Sequence, residues 1–333
     1  MNQKTNFDGP LFIIGMSRSG TKLIRDLLNL SPFISLSRGN TEFVARFAYD
    51  ARVMEWKPTR KWKEKFYRFF LNSEFLAQNI RRGIAIDNAE IKAVILQKDY
   101  REMIKSLLLL FSTEETDPGR VIWGNKTTVN VHHLDILREA FPTAKFIHII
   151  RDPRDRALSV RNALGGNMFF AADAWRKTVM KIEPNIDCCK HVSYESLIQS
   201  PEEVLRDLCE FLEIPFTRSL IELSKPVETR GDSKLVTRHT TQIVSDNMNK
   251  YIFEMTPREL DRVERLVFPA ASVFGYQPYG KDVVFQPLSK LESYLYNIDD
   301  YINSYALHIR NWGLFRGQIM AAGRLASRLT RRH

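Results

Sequence analysis

No stretch of this 333-residue sequence stays apolar over the roughly 18 to 20 residues that a membrane-spanning helix requires. The longest candidate, Ile104 to Ser112, is too short and shares its helix with Arg101 and Lys105. The opening MNQKTNFDGP lacks the apolar core of a signal peptide. Cysteine is scarce: Cys188, Cys189 and Cys209 form neither a CxxC pair nor an even framework, which excludes a disulfide scaffold and points to a reducing compartment. Internal repeats and low-complexity linkers are missing. So is acidic charge after Asp300, where Arg310, Arg316, Arg324, Arg328, Arg331 and Arg332 supply +6 of the formal +10, leaving +4 for everything before them. The basic character is partly a property of the tail, so no nucleic-acid partner is expected. These absences describe a soluble, cytoplasmic globular protein, with membrane contact confined to a peripheral role for the basic tail.

What is present is an alternation of strands and helices. Pro10 to Gly15 (PLFIIG) is a short apolar, β-branched run ending in Gly, the pattern of a buried strand. Gly20 to Leu30 carries a helical stripe of Leu23, Ile24, Leu27, Leu28 and Leu30, stopped by Ser31-Pro32. Phe33 to Leu36 reads as a second strand, Val121 to Gly124 as a third, and Ala144 to Ile150 (AKFIHII) as the clearest buried strand. Helices are expected over 131–141, 153–164 and 201–212, and another short strand over Cys189 to Tyr194. This spacing predicts an α/β fold, a parallel sheet flanked by helices, with ligands at the carboxyl edge of the strands. A helical insertion occupies about 43–112, within an α/β domain spanning 1–280, and residues 281–333 form a basic helical extension.

The first strand-helix turn, Gly15-Met16-Ser17-Arg18-Ser19-Gly20-Thr21-Lys22, places backbone amides beside the positive end of a helix, an arrangement that binds phosphate. It departs from the NTPase pattern GxxxxGK[ST] by reversing the last two residues, and it carries an earlier cation at Arg18. The fourth strand ends Ile150-Arg151-Asp152-Pro153-Arg154, with Ser159 about two turns into the next helix. An arginine at a strand tip and a serine on the adjoining helix make a second phosphate site. Asp152 is flanked by Arg151 and Arg154, which compete for its charge, so a metal is not expected. An ATP-dependent phosphate-loop kinase or NTPase stands as the rival reading.

With both motifs in order, the sequence resembles the sulfotransferases that use 3′-phosphoadenosine 5′-phosphosulfate (PAPS), most of all tyrosylprotein sulfotransferases and their bacterial relatives. The resemblance covers roughly 10–44, 120–165 and 188–216, with weaker similarity to about 279. It implies a phosphate-loop sulfotransferase-like fold and PAPS as co-substrate, with no metal. It assigns Arg18, Ser19, Gly20, Thr21 and Lys22 to the 5′-phosphosulfate and Arg151 and Ser159 to the 3′-phosphate. It also assigns Tyr194 to the adenosine end and Arg238 to a closing loop. Arg161 stands in for a further family arginine that is missing at its usual spacing. Glu42, in Arg38-Gly-Asn-Thr-Glu-Phe, resembles the catalytic glutamate base, and Lys126, in Trp123-Gly-Asn-Lys-Thr-Thr, a lysine that stabilises the transition state beside Arg18. Thr128 stands where the cytosolic branch has a histidine, which favours Glu42 as base. The implied partner is a hydroxyl-bearing acceptor: glycan, lipid, small molecule or peptide tyrosine.

Two regions admit more than one reading. The insertion mixes cations with aromatics over Lys57 to Arg68, suiting an anionic acceptor or an ordinary helix with aromatics inward and lysines outward. In the same insertion Arg46 and Arg52 follow the glutamate and are candidate acceptor contacts. The tail from Tyr305 to His333 intersperses leucines and isoleucines with arginines, a pattern that can lie on an anionic membrane, dock on the domain or mediate self-association.

Overall fold

The computed structural model describes residues 7–112, 122–221, 243 and 245–312. Arg238 and the tail beyond Trp312 lie outside the described residues. The elements run β1 (Leu11–Ile14), α1 (Thr21–Leu28), β2 (Ile34–Ser37), α2 (Glu42–Val53), α3 (Arg60–Leu71), α4 (Glu74–Arg81), α5 (Asn88–Gln97) and α6 (Tyr100–Leu110). They continue with β3 (Ile122–Lys126), α7 (Leu134–Ala140), β4 (Lys145–Ile150), α8 (Pro153–Leu164), α9 (Met168–Ile182), β5 (Cys189–Ser193), α10 (Tyr194–Gln199) and α11 (Pro201–Phe211). The last three helices are α12 (Tyr251–Glu254), α13 (Pro257–Val267) and α14 (Lys290–Trp312).

The chain divides into two compact units. One holds all five strands together with α1–α7, α10 and α11; the other holds α8, α9, α12, α13 and α14. In the first, the sheet is parallel throughout in the order β2-β3-β1-β4-β5. β1 is buried along its whole length, the continuous apolar run that a central parallel strand needs because helices cover both faces. Leu11 pairs with Gly124 on one side and Lys145 on the other, which fixes β1 at the centre. The carboxyl ends of all the strands therefore share one edge.

The insertion forms helices α2–α6. Four of them begin on their own capping side chain: Thr59, Ser73, Asp87 and Asp99 each accept a hydrogen bond from a first-turn amide. Its aromatics are core. Phe66, Phe70 and Phe75 are fully buried, and Phe43 packs edge-on against all three at ring separations of 5.4–6.0 Å. Lys57, Lys61, Lys65, Arg60 and Arg68 face solvent, so here the inward-aromatic reading holds.

Element boundaries differ from expectation where side chains intervene. The expected helix over 131–141 breaks into a 3-10 turn, Thr128–His132, and α7, because Asn125 and Asn130 bond each other across the turn at 3.2 Å. α1 stops at Leu28 because the Asn29 side chain turns to pair with both backbone groups of Leu36 on β2. Tyr194 is not the end of β5 but the first residue of α10, since Ser193 caps that helix at the amide of Ser196.

In the second unit, α8 opens on Asp152 as cap with Pro153 in its first turn, and closes on left-handed Gly165. α14 lies against α9: Asp300 accepts from the amide of Asn167 at 3.0 Å and Tyr296 meets Phe169 at 5.4 Å. Among the described residues no helix is long and apolar enough to cross a membrane.

Candidate active site

The turn after β1 has the backbone of an anion cradle. Gly15 sits at φ +139°, and a Cβ there would fall 2.3 Å from the carbonyl oxygen of Ile149. Gly20 sits at φ +85°, and its Cβ would strike the Tyr194 ring at 2.4 Å. Both positions require glycine. Between them Arg18 is left-handed at φ 72°, a conformation that costs energy for a residue with a side chain. α1 then starts with no side chain capping its first amides. Ser19 is 1 % exposed, and its hydroxyl makes no hydrogen bond within the described chain. A buried, unsatisfied hydroxyl beside an uncapped helix start costs stability unless a ligand completes it. The residues present therefore fit a phosphate or sulfate group.

Positive charge converges on the same edge. Lys126 ends β3 in register with Ile13, two residues before Gly15. Its ammonium is pushed down to about 7, first by burial and then by the cations Arg25, Lys22 and Arg82, against the opposing carboxylate of Asp26. Lys126 is half-buried as a residue; burial of its charged end is the largest cause of the shift, and the surrounding cations add to it. Arg25, 4 % exposed, is anchored by Asp26 at 2.5 Å. Arg25 and Arg82 were not legible as site residues. Arg25 is one helical turn beyond Lys22 and could have been found by that spacing; Arg82 follows α4 in the insertion and reaches the cluster through the tertiary fold alone.

The loops that carry Glu42 and Lys126 are joined through threonines. Thr41 and Thr127 share a hydroxyl–hydroxyl hydrogen bond, and the Thr41 amide donates to Thr127 Oγ1 at 3.3 Å. The residue before Glu42 is thus bonded to the residue after Lys126. The insertion fixes the same loop from its other side: Asn40 receives the amide of Glu42 at 3.2 Å and gives its own to Gln78 of α4 at 3.1 Å. Glu42 itself begins α2, part-exposed. Tyr194 is buried with its ring over Gly20, at the start of α1.

Arg151 and Ser159 belong to the second unit. Arg151 is the residue after β4; it is 5 % exposed, donates to the carbonyl of Asn247 at 2.9 Å and stands 3.8 Å from Asp155. Asp155 is held above the ordinary carboxylate range by burial, against the amide of Tyr251 that it accepts at 3.0 Å and the charge of Arg151. Ser159 is part-exposed on α8. Asp152 caps α8 and binds Arg154 through both carboxylate oxygens, at 3.0 and 2.7 Å. Arg161 pairs with Glu259 at 3.0 Å and the carbonyl of Glu254 at 3.1 Å, a bracing contact. In the insertion Arg46 lies over the Phe69 ring and Arg52 reaches Glu139.

Over 292 residues the chain is 24% identical to protein-tyrosine sulfotransferase 1 of Danio rerio, covering 82% of this chain and 74% of that protein. Its identity to the Homo sapiens protein-tyrosine sulfotransferase 1 is 24% over 291 residues, 82% and 71% of the two chains. The solved sulfotransferase domain from the Synechococcus PCC 7002 olefin synthase superposes with a TM-score of 0.57 at 20% identity, over 83% of this chain and 98% of that one. The sulfotransferase domain from the curacin biosynthetic pathway gives 0.54 at 18% identity, over 81% and 99%. The model of the sulfotransferase family matches residues 10–218, and the chain belongs to that family.

Proposed function

We propose that the protein moves a sulfuryl group from PAPS to an acceptor hydroxyl by in-line displacement, with Glu42 as base. The acceptor oxygen forms the new S–O bond as its proton passes to Glu42. The bond from sulfur to the bridging oxygen breaks, and adenosine 3′,5′-bisphosphate leaves. Ser19, Gly20, Thr21 and Lys22 take the 5′-phosphosulfate, and Arg18 and Lys126 offset charge on the bridging oxygen. Arg151 and Ser159 take the 3′-phosphate. Positioning and charge stabilisation carry such a transfer without a covalent enzyme intermediate.

The observation that carries this reading is the buried, unsatisfied Ser19 hydroxyl at an uncapped helix start after β1, whose neighbour β3 ends in Lys126, with the Glu42 loop bonded to the Lys126 loop. The rival kinase reading needs a carboxylate to hold Mg²⁺. Asp152, the candidate, already binds Arg154 with both oxygens. Because its relatives are named for tyrosine sulfation, a peptide tyrosine belongs in the acceptor panel.

The test is transfer of label from radiolabelled PAPS to a panel of peptide tyrosines, glycans, lipids and phenols, without added metal. We expect labelled product from at least one class. Phosphate transfer from ATP with Mg²⁺, and no response to PAPS, would replace the reading. Glu42→Gln is expected to lower turnover about 10²–10⁴-fold while leaving affinity for adenosine 3′,5′-bisphosphate unchanged; full activity in that variant removes Glu42 from the chemistry.

A further inference from the structure

Helix α14 has two faces of different fate. Glu292, Tyr296, Asp299 and Asp300 hold it to its own unit: Glu292 pairs with Arg262 at 2.8 Å, Tyr296 meets Phe169, and both aspartates accept from Asn167. The adjoining face carries Leu291, Leu295, Ile298 and Ile302, which are 66%, 50%, 39% and 56% exposed, flanked by Tyr294 at 65%. These residues follow one another in steps of four, three and four, the next step of three reaches Tyr305, and the sequence carries the same alternation on to Ile309 and Trp312.

That alternation has a period of 3.5 residues, the spacing that keeps a narrow apolar seam facing another helix as the two supercoil left-handedly. We propose that α14 pairs with α14 of a second copy of this chain, making a two-stranded coiled coil through Leu291, Leu295, Ile298, Ile302 and Tyr305.

Charge favours this occupant over a membrane. The described helix carries Lys290 and Arg310 against Glu292, Asp299 and Asp300, a net negative charge where an anionic bilayer requires a positive one. Of the acids that flank the seam, Glu292 is neutralised by Arg262 at 2.8 Å, and Asp299 is turned toward Asn167 of its own unit. Removing the exposed seam of two copies from water covers on the order of 1,000 Å², the size a specific interface needs. A two-fold axis makes the same patch serve both partners.

The experiment is sedimentation equilibrium of the full chain between about 1 and 50 µM, with the double variant L295E/I302E in parallel. Both substitutions lie on exposed positions outside the catalytic machinery, and circular dichroism with adenosine 3′,5′-bisphosphate binding checks that the variant is folded. The expected result is a dimer for the natural chain and a monomer for the variant. A second measurement is independent of that variant: Ile298→Cys should give an oxidised dimer on a denaturing gel, where Ser293→Cys, off the seam, gives no more than the parent chain. A natural chain that is monomeric at 50 µM, or a double variant that stays dimeric, overturns the proposal. So does seam-dependent binding to phosphatidylserine vesicles by a monomeric natural chain. Because dimerisation is read without turnover, its failure is separable from failure of the sulfuryl-transfer reading.

Discussion

Two arginine-bearing turns follow neighbouring strands of this sheet, and their electrostatics run in opposite senses. After β1, Arg18 and Lys22 lie in a turn of glycines and hydroxyls, and Lys126, at the end of the adjacent β3, is pushed down to about 7 by burial and then by the cations around it. After β4, Arg154 is 3 % exposed, gripped by Asp152 at 2.7 Å and by Glu264 at 2.6 Å, with its guanidinium 4.0 Å above the Tyr251 ring. Burial works against its charge, but the hydrogen bonds and charges of those carboxylates outweigh it and hold Arg154 above the ordinary range. The first turn accumulates positive charge that a ligand must offset; the second is closed on itself. A cation is poised to bind an anion when its neighbours share its sign, and it is architecture when carboxylates have already claimed it.

The comparison can be broken most easily at Arg154. Removing one partner of a buried ion pair leaves the others uncompensated, a loss of roughly 3–5 kcal/mol. Arg154→Ala should therefore unfold at distinctly lower urea concentration, and pairing Arg154→Met with Glu264→Gln should recover part of the loss. A change below about 1 kcal/mol in equilibrium unfolding would mean that the second turn is not held by this pair.

Arg151, in the same motif, should behave differently. Its guanidinium meets a carbonyl and a more distant carboxylate rather than a close ion pair. Arg151→Ala is expected to weaken adenosine 3′,5′-bisphosphate binding by about tenfold to a hundredfold, the worth of one charge-assisted hydrogen bond of roughly 1.5–3 kcal/mol. Calorimetric titration reads this directly. Unaltered affinity would place Arg151 with Arg154 among the architectural arginines and erase the distinction within the motif.

Much of this arrangement was legible in the sequence because its determinants are local. A strand, a glycine turn and a helix announce themselves through periodicity, whereas the insertion was legible only as helical, its division by the caps Thr59, Ser73, Asp87 and Asp99 coming from the structure. The fold class and the glycine turn after β1 therefore followed from neighbouring residues. Contacts over long separations did not. The Thr41–Thr127 bond that joins the Glu42 and Lys126 loops, and the arrival of Arg82 beside Lys126, depend on β2 and β3 being adjacent in space. The family resemblance assigns Tyr194 to the adenosine end; in the structure its ring lies over Gly20, which explains why that glycine cannot carry a side chain. The exposed seam of α14 was hidden in the sequence because its spacing overlaps the stripe that holds the same helix to α9.

The finest test of the contrast is a proton count at Lys126. In the unfolded chain a lysine keeps its proton up to its ordinary value of 10.5; in the folded protein Lys126 loses it above about 7. Its folded value is depressed, so the unfolded state binds more protons between these limits and stability falls as pH drops from 10.5 towards 7. A dianionic phosphate placed in the cradle reverses the sign of the field and restores the ammonium. Binding of adenosine 3′,5′-bisphosphate at pH 8, one unit above the free value, should therefore take up close to one proton. At pH 6, where Lys126 is already charged and the phosphates themselves are part-protonated, the uptake should vanish and give way to proton release. Titration calorimetry in two buffers of different ionisation enthalpy measures this number, and Lys126→Met should abolish the uptake at pH 8 while leaving the fold at least as stable at neutral pH. No uptake at pH 8 in the natural protein would mean that the bound anion does not reach the cations that depress Lys126, and the first turn would lose its claim to be the open one.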